Sequence, residues 1–355
     1  MNFTRIASGW IETEDKPTYH GWPTICCLND GRLLAVASGG REAHICPYGR
    51  VYCYESADGG LTWSKPRILT SGPLDDRDAG IVQASDGSVL VNYFTSTAFI
   101  RIPEKRERWH EALSSITLDT LVREHGFWML RSTDGGRTWS EKYRVPVNNV
   151  HGPNLLNDGS LLWIGREMGS LMSESTMGRR IKVFRSTDHG LTWQVVSALP
   201  EYPGQKQTDW HEVDTVQAAD GMIITQIRNE ATRTCFQDVE TWQTESVDGG
   251  ITWGPYHKVA GGHPTHLCRL ADGRIVMTYG WRCRPCGIRG RIGLDLPCQF
   301  WGDEFILSDE GENFDLGYPS TAQLPDGTLV TLWYQFRSST GVASLRWLKW
   351  KLDPR

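Results

Sequence analysis

Six segments of the sequence share one pattern, in which an apolar run, an Asp-Gly pair and a second apolar run follow each other. The six aspartates are Asp30, Asp86, Asp158, Asp220, Asp272 and Asp326. Eight residues before them stand Trp22, Asp78, Val150, Glu212, Pro264 and Tyr318. Eight residues after them stand Ser38, Phe94, Arg166, Arg228, Gly280 and Tyr334. Because side-chain direction alternates along a strand, equal offsets predict equivalent positions in every repeat.

These offsets bring together residue types that can do chemistry. Asp78, Glu212 and Tyr318 could each serve as an acid, a base or a nucleophile. Arg166 and Arg228 share one register, and a guanidinium suits a planar anion such as a carboxylate. Adjacent positions add the histidines His20, His151, His211, His263 and His266. Any one of them could be packing or a strand cap, but their convergence predicts a functional site at the end of the hairpins opposite the Asp-Gly turns.

A second repeat explains how these hairpins are held. Near-identical octets such as S-T-D-G-G-R-T-W occupy residues 56–63, 132–139, 186–193 and 246–253, and a decayed copy occupies residues 308–314. Asp-Gly-Gly favours a hairpin turn, since Gly tolerates positive φ. The Ser, Asp and Thr side chains can bond the turn's own backbone, and the Trp can cover it. We interpret the octets as structural staples.

The octets resemble the Asp-boxes of the sialidase superfamily. The resemblance implies an all-β fold, a six-bladed β-propeller forming a single domain over residues 1–355. Blade six would use a C-terminal strand, and the N-terminal segment is a candidate for a further strand; joining the two chain ends closes the ring without free edges. An insertion in blade two, at about residues 103–125, begins with Pro followed by helix formers. We predict a helix there, as a solvated loop element, a lid or a subunit contact.

Two stretches carry a resemblance to the sialidase active site. Glu212 precedes Asp220-Gly221 and Arg228, as a Glu and an Arg do in blade four of the family, and Tyr318 opens blade six as the family's Tyr does. The resemblance implies that Tyr318 is the nucleophile and Glu212 its base. A Tyr nucleophile avoids the repulsion that a carboxylate would feel from an acidic sugar.

The chain also departs from the family pattern. The arginine motif of blade one is replaced by residues 19–23, Y-H-G-W-P, and residues 39–50 lack the family's acid/base Asp. Our candidates for the general acid are therefore Asp78, His44 and His151. Arg41 resembles an accessory arginine of the family. The predicted substrate-binding residues are Arg41, Arg166, Arg228, Arg284, Arg289, His20, His211 and His266, with Arg284 and Arg289 as alternatives for one role.

Composition and cysteine content bear on which partners, metals and cellular location to expect. The net charge of -5 with 22% charged residues gives no reason to expect nucleic acid or a membrane surface. We interpret Cys283-x-x-Cys286 as loop thiols; a zinc site using Cys298 and histidines is the alternative. We expect no cofactor and no metal. The given N-terminus lacks an apolar signal segment, so we expect a cytoplasmic protein, with a trimmed secreted form as the alternative.

The functional hypothesis is a sialidase-like exo-glycosidase acting on a terminal acidic or unusual sugar. A uronic acid lyase using His and Tyr is a second hypothesis, and a carbohydrate-binding propeller without turnover is a third.

Overall fold

The structure, a computed structural model, describes residues 3–12, 18–102, 107–168, 177–231, 235, 238–295, 298 and 300–353. Six antiparallel sheets form the blades of a β-propeller, as the repeats predict. The strands up to the end of blade two are β1 (Phe3–Trp10), β2 (Tyr19–Cys27), β3 (Leu33–Arg41), β4 (Arg50–Ser56), β5 (Arg67–Ile68), β6 (Asp75–Gln83), β7 (Val89–Ser96), β8 (Phe127–Ser132) and β9 (Tyr143–Arg144).

The remaining strands complete blades three to six. Those of blades three and four are β10 (Val147–Asn148), β11 (Asn154–Leu155), β12 (Leu161–Met168), β13 (Met177–Ser186), β14 (Gln194–Ala198), β15 (Trp210–Gln217), β16 (Ile223–Asn229), β17 (Glu240–Ser246) and β18 (His257–Ala260). Those of blades five and six are β19 (Thr265–Arg269), β20 (Ile275–Trp281), β21 (Cys286–Ile292), β22 (Phe305–Gly311), β23 (Leu316–Gln323), β24 (Leu329–Arg337) and β25 (Val342–Leu352).

Turn chemistry sets the inner hairpin of each blade. In blade two, Asp86 Oδ1 accepts a hydrogen bond from the backbone N–H of Ser88 at 3.0 Å, and Gly87 takes a φ of 83°. A side-chain acceptor at the first position and a glycine at positive φ are what such a tight turn needs. The predicted Asp-Gly hairpins are therefore confirmed.

The octets act within their own turns. Asp188 accepts hydrogen bonds from the backbone N–H of Thr192 at 2.9 Å, from the Thr192 hydroxyl at 2.6 Å and from the Ser186 hydroxyl at 2.8 Å. The indole N–H of Trp193 donates to the carbonyl of Gly190 at 3.2 Å. These contacts confirm the staple interpretation and place the octets on the outer hairpins.

Blade six closes the ring with both ends of the chain. Its strand order is β1-β25-β24-β23, and β1 pairs antiparallel with β25 from Phe3 opposite Leu352 to Trp10 opposite Arg346. This pairing confirms the predicted role of the N-terminal segment. Joining the two ends in one sheet covers the edge at which the ring would otherwise open.

Hydrophobic clusters fill the spaces between neighbouring blades. Leu34 and Val36 of blade one pack against Val89 and Val91 of blade two, and equivalent clusters join the other blades. First strands of neighbouring blades contact one another around the axis, β2 with β6 and β23, and β15 with β19. The axis-facing ends of these strands therefore belong to a rigid frame.

The insertion in blade two is helical. It contains α1 (Glu107–Ser114) and α2 (Leu118–Glu124), while the predicted starting residues 103–106 lie outside the described residues. Trp109 is buried against Cys46, Leu74 and Phe99, so the insertion packs onto the loop between β3 and β4. No helix among the described residues has the length and apolar character that crossing a bilayer requires.

Candidate functional site

The first strands of four blades are irregular at one shared position. The pairing register shifts between Gly21 and Thr24 in β2, and equivalent shifts occur in β6, β15 and β23. Non-glycine residues with positive φ lie within three of these shifts, Trp22 at 56°, Asp78 at 47° and Tyr318 at 52°. Such bulges re-aim side chains and are common beside functional sites. The eight-residue offset identified these positions, although it did not predict their conformation.

Tyr318 and Glu212 meet across the ring, from blades six and four. The Tyr318 hydroxyl donates a hydrogen bond to Glu212 Oε1. Arg228 donates to both oxygens of the same carboxylate, at 3.0 and 3.2 Å, and also pairs with Glu230. The side chain of Glu212 is 17% exposed and that of Arg228 is 10% exposed, so the three groups form a largely buried chain.

The surroundings of Glu212 and Tyr318 shift their pKa values in opposite directions. Burial opposes ionisation of Glu212, but the Arg228 guanidinium and His211 outweigh it and hold the pKa of that carboxyl well below its usual range. Burial and the neighbouring Glu212 charge raise the pKa of Tyr318 well above its ordinary value. A phenol hydroxyl thus faces a carboxylate that is ionised at neutral pH.

A cavity of about 170 Å³ opens beside this pair. Asp78, Arg166 and His211 line it together with Glu212, and Phe94, Asn148, Asn149, Val150 and Gly165 complete its wall. Burial raises the pKa of Asp78 to about 6, with Arg77 opposing the rise and Glu212 adding to it. Asp78 Oδ1 has no hydrogen-bond partner within the described ranges. The Arg166 guanidinium donates to the backbone carbonyls of Gln207 and Trp210.

His151, which is buried, and His266, which is half-buried, form a pair close to Glu212. Their ring centroids are 4.9 Å apart in an edge-to-face arrangement. His151 Nδ1 lies 3.3 Å from the Thr24 hydroxyl, and Thr321 N donates to His266 Nδ1 at 3.3 Å. Burial lowers the pKa of His151 to about 3 and also holds the pKa of His266 well below its ordinary value. Both imidazoles are therefore neutral at physiological pH.

The rim of the site carries His44 above Trp22. Their ring centroids are 5.0 Å apart, and His44 is exposed whereas Trp22 is buried. The guanidinium of Arg77 lies 4.4 Å from the Trp22 ring and that of Arg41 lies 5.1 Å from it. Partial burial together with nearby arginines, Arg77 and Arg41 foremost, lowers the pKa of His44 well below its ordinary value.

Two predicted binding residues are buried and engaged within blade one. Arg41 forms a bidentate ion pair with Asp75, and both side chains are 0% exposed. His20 hydrogen-bonds Tyr54 through Nδ1 at 2.8 Å and Thr18 through Nε2 at 2.9 Å. These contacts place both residues in supporting positions behind Trp22 and within the sheet.

The structure separates the arginines around β21. Arg289 is buried and donates to the carbonyls of Ser308 at 2.7 Å and Pro285 at 2.9 Å, while Arg284 is solvent-exposed. Arg282, by contrast, lies with its guanidinium carbon 6.0 Å from the centre of the Tyr318 ring. The arginine that blade five brings to the site is thus Arg282, and Arg284 and Arg289 are not brought to it.

Sequence reasoning also missed a polar network at the rim. The Tyr19 hydroxyl donates to Asp315 Oδ1 at 2.9 Å and lies 3.2 Å from His44 Nδ1. Tyr334 lies beside this network, with its ring centroid 6.2 Å from that of Tyr19. Position in the repeat could have identified Tyr19 and Arg77, since each lies within three residues of an offset position, but Asp315 precedes its strand and has no such signal.

The cysteines of the predicted loop and of the alternative zinc site lie in different surroundings. Among the residues that the structure describes, no group of three or more His, Cys, Asp or Glu side chains is arranged to hold an ion. Cys286 is buried with its thiol 3.5 Å from the carbonyl of Arg282, and Cys298 is buried in a separate cluster with Leu267 and Met277. Neither Cys286 nor Cys298 forms a disulfide.

Comparison with known proteins adds the family context. The family profile described as BNR repeat-like domain matches residues 98–331. A sialidase from Micromonospora viridifaciens is 28% identical over 257 residues, which are 68% of this chain and 37% of that protein. A protein of unknown function from Dyadobacter fermentans superposes with a TM-score of 0.77 at 21% identity over 99% of both chains. The NanB sialidase from Streptococcus pneumoniae superposes with a TM-score of 0.68 at 14% identity, over 97% of this chain and 70% of that one.

Proposed function

Because the chain belongs to the BNR repeat-like domain family, within the sialidase superfamily, we propose that it is an exo-glycosidase that hydrolyses a terminal acidic sugar. The observation that carries the proposal is the hydrogen-bonded chain from Tyr318 through Glu212 to Arg228 at the ring axis. It supplies a nucleophile, a base and a cation that keeps the base ionised.

Tyr318 forms the glycosyl intermediate. Its oxygen attacks the anomeric carbon, its proton passes to Glu212, and the glycosidic oxygen leaves with a proton from a general acid. Bond formation makes the phenol oxygen far more acidic, so the transfer to Glu212 proceeds even though the pKa of that carboxyl is low. Water then attacks the anomeric carbon, loses a proton to the deprotonated acid, and Tyr318 departs with the proton from Glu212.

Three arginines from different blades supply the anion-binding charge. Arg77 packs on Trp22 and lies 3.9 Å from Asp75, which Arg41 already neutralises. Arg228 binds the carboxylate that accepts from Tyr318, and the guanidinium carbon of Arg282 lies 6.0 Å from the centre of the Tyr318 ring. Guanidinium groups in a partly buried pocket favour a planar carboxylate. This arrangement supports an acidic sugar, and Arg77 compensates for the arginine that residues 19–23 lack.

An activity screen tests the proposal. Wild-type protein is incubated with 4-nitrophenyl glycosides of N-acetylneuraminic acid, its deaminated analogue, glucuronic acid and neutral hexoses. We expect nitrophenol release from an acidic glycoside, loss of that release in Tyr318→Phe, and retention in Tyr256→Phe. Tyr256 is a matched control because its hydroxyl bonds the carbonyl of Pro200 at 2.8 Å, immediately before the outer strand β18 of blade four.

Other results would replace the proposal. A 4-linked uronic acid oligosaccharide, incubated in parallel, carries at C4 the leaving group that the monosaccharide glycosides lack. A rise in near-ultraviolet absorbance from it, without nitrophenol release from the glycosides, would indicate β-elimination by a His or Tyr base. Saturable binding with no product after long incubation would indicate a carbohydrate-binding propeller. Retained turnover in Tyr318→Phe would reject Tyr318 as the nucleophile.

A further inference from the structure

A hydrogen-bonded row of three polar side chains, one from a strand and two from loops, lies at the rim of the site between blades one and six. His44 lies on the loop after β3, Tyr19 begins β2, and Asp315 immediately precedes β23. Tyr19 Oη donates to Asp315 Oδ1 at 2.9 Å and lies 3.2 Å from His44 Nδ1. We propose that His44 is the proton carrier of the reaction and that Tyr19 and Asp315 are its positioning residues. This inference rests on the proposed glycosidase function.

The hydrogen-bond donors fix the tautomer of His44. Tyr19 has one hydroxyl proton, and it is donated to the Asp315 carboxylate, which can only accept. The Tyr19 oxygen must therefore accept from His44, so Nδ1 of His44 carries the proton. Nε2 is left free to gain or release a proton, as the outer nitrogen of a histidine oriented by a third group does.

The location of His44 suits departure of the leaving group. An exo-acting enzyme encloses the terminal sugar, so the rest of the substrate must point outward through the rim. His44 is exposed at that rim, whereas His151 is 6% exposed and Asp78 lines the cavity beside Glu212. Asp78 and His151 are thus placed to contact the enclosed sugar, and His44 is placed at the glycosidic oxygen.

The charges around His44 make its protonation depend on the substrate. It faces Arg41 at the end of β3, Arg77 of β6, Arg228 of β16 and Arg282 beyond β20, with Tyr19 and Trp22 of β2 beneath it. In the free protein, partial burial and these cations keep the imidazole neutral. A substrate carboxylate bound by the same arginines cancels much of their field, which raises the pKa of His44. Binding of an acidic substrate would therefore favour protonation of His44, the general acid that the reaction needs.

With His44 as the proton carrier, each proton that leaves His44 in the first step returns to it in the second. As the bond between the anomeric carbon and the glycosidic oxygen breaks, protonated His44 gives its Nε2 proton to that oxygen and becomes neutral. In the second step, Nε2 takes a proton from the attacking water. Asp315 keeps its charge throughout, and Tyr19 keeps its proton.

Leaving-group dependence tests the assignment. Wild type, His44→Gln and Asp78→Asn are assayed with 4-nitrophenyl and methyl glycosides of N-acetylneuraminic acid, its deaminated analogue and glucuronic acid. His44→Gln should lose on the order of 10²- to 10⁴-fold of kcat/KM on the methyl glycoside, which needs protonation, and much less on the nitrophenyl glycoside, which does not. Tyr19→Phe and Asp315→Asn should show the same selective loss at a smaller size.

Controls separate this result from a structural effect. Tyr143→Phe removes one hydroxyl that bonds Gly190 at 3.2 Å in an outer strand, and His189→Gln changes an imidazole of a distant octet. Both should leave the ratio of the two rates unchanged. Calorimetric titration of wild type with free N-acetylneuraminic acid and glucuronic acid, in buffers of different ionisation heat, should show proton uptake that His44→Gln lacks.

The outcomes are distinct. Equal losses on both glycosides in His44→Gln, or a selective loss in Asp78→Asn instead, would overturn the assignment of His44 while leaving the glycosidase function intact. Wild type without turnover of any acidic glycoside would overturn the proposed function and this inference with it. Proton uptake unchanged in His44→Gln would overturn the linkage to the substrate's charge.

Discussion

Replacing Arg41 with Met should lower the free energy of unfolding severely and should not raise KM. Arg41 and Asp75 are both 0% exposed, and the guanidinium also donates to the Ser38 hydroxyl at 3.0 Å and to the His44 carbonyl at 2.8 Å. Removing the cation leaves Asp75 buried with Arg77 only at 3.9 Å. Breaking a buried pair in this way costs about 3–5 kcal/mol of the free energy of unfolding.

Urea denaturation measures this cost, and a double mutant isolates the pair. Arg41→Met and Asp75→Leu should each be strongly destabilising, whereas the double variant should lose much less than the sum of the two, because neither charge is then left alone. A loss below about 1 kcal/mol in Arg41→Met, accompanied by a raised KM, would refute the reasoning and restore Arg41 as a substrate-binding residue.

Three further predictions follow from the contacts of single side chains. Glu212→Gln should lower kcat by on the order of 10²- to 10⁴-fold, since Tyr318 loses its proton acceptor; unchanged kcat for an acidic aryl glycoside would exclude Glu212 as the base. Burial raises the pKa of Asp76 to about 7, above an unfolded value of about 4, so its contribution to the free energy of unfolding should fall as pH rises between these values. Urea midpoints at pH 4.5 and 7.5 should differ less in Asp76→Asn, and an unchanged difference would contradict this. Asp188→Ala should cost about 1–2 kcal/mol by removing the octet's internal hydrogen bonds and leave KM unchanged; a neutral effect would argue against the staple.

The fold was predictable because it repeats. Hairpin chemistry at each Asp-Gly turn and each octet is local, so each copy reports the same structure independently. The distance along a strand from such a turn is then a reliable measure of position. For this reason the offset identified Tyr318, Glu212 and Arg228, which the structure brings together from blades six and four.

Neighbours of the offset positions were less predictable. His20 lies two residues before Trp22, but the register shifts on both sides of Gly21 break the alternation of β2, and His20 lies within blade one, where it bonds Tyr54. Tyr19, the residue before His20, contacts His44 and Asp315 at the rim. Trp22 and Tyr318 lie in bulges and have positive φ, a conformation that neither residue type predicts.

Long-range contacts set the remaining part of the site. Tyr19 and Asp315 are 296 residues apart in sequence and meet only because blades one and six are neighbours in the closed ring. Four arginines lie within residues 281–291, and strand β21 turns Arg289 inward while Arg282 stays beside Tyr318. Such choices depend on strand ends and loop paths, which the repeat pattern does not encode.

The most direct test of the account is the mass of the protein trapped during turnover. An acidic glycosyl fluoride that carries a second fluorine beside the anomeric carbon slows hydrolysis of a covalent intermediate, so that the intermediate accumulates. We predict an intact-mass increase of one sugar unit, located by peptide mapping on Tyr318 and absent in Tyr318→Phe. Turnover of the unfluorinated glycoside without any adduct, or an adduct on another residue, would contradict a tyrosine nucleophile at the ring axis.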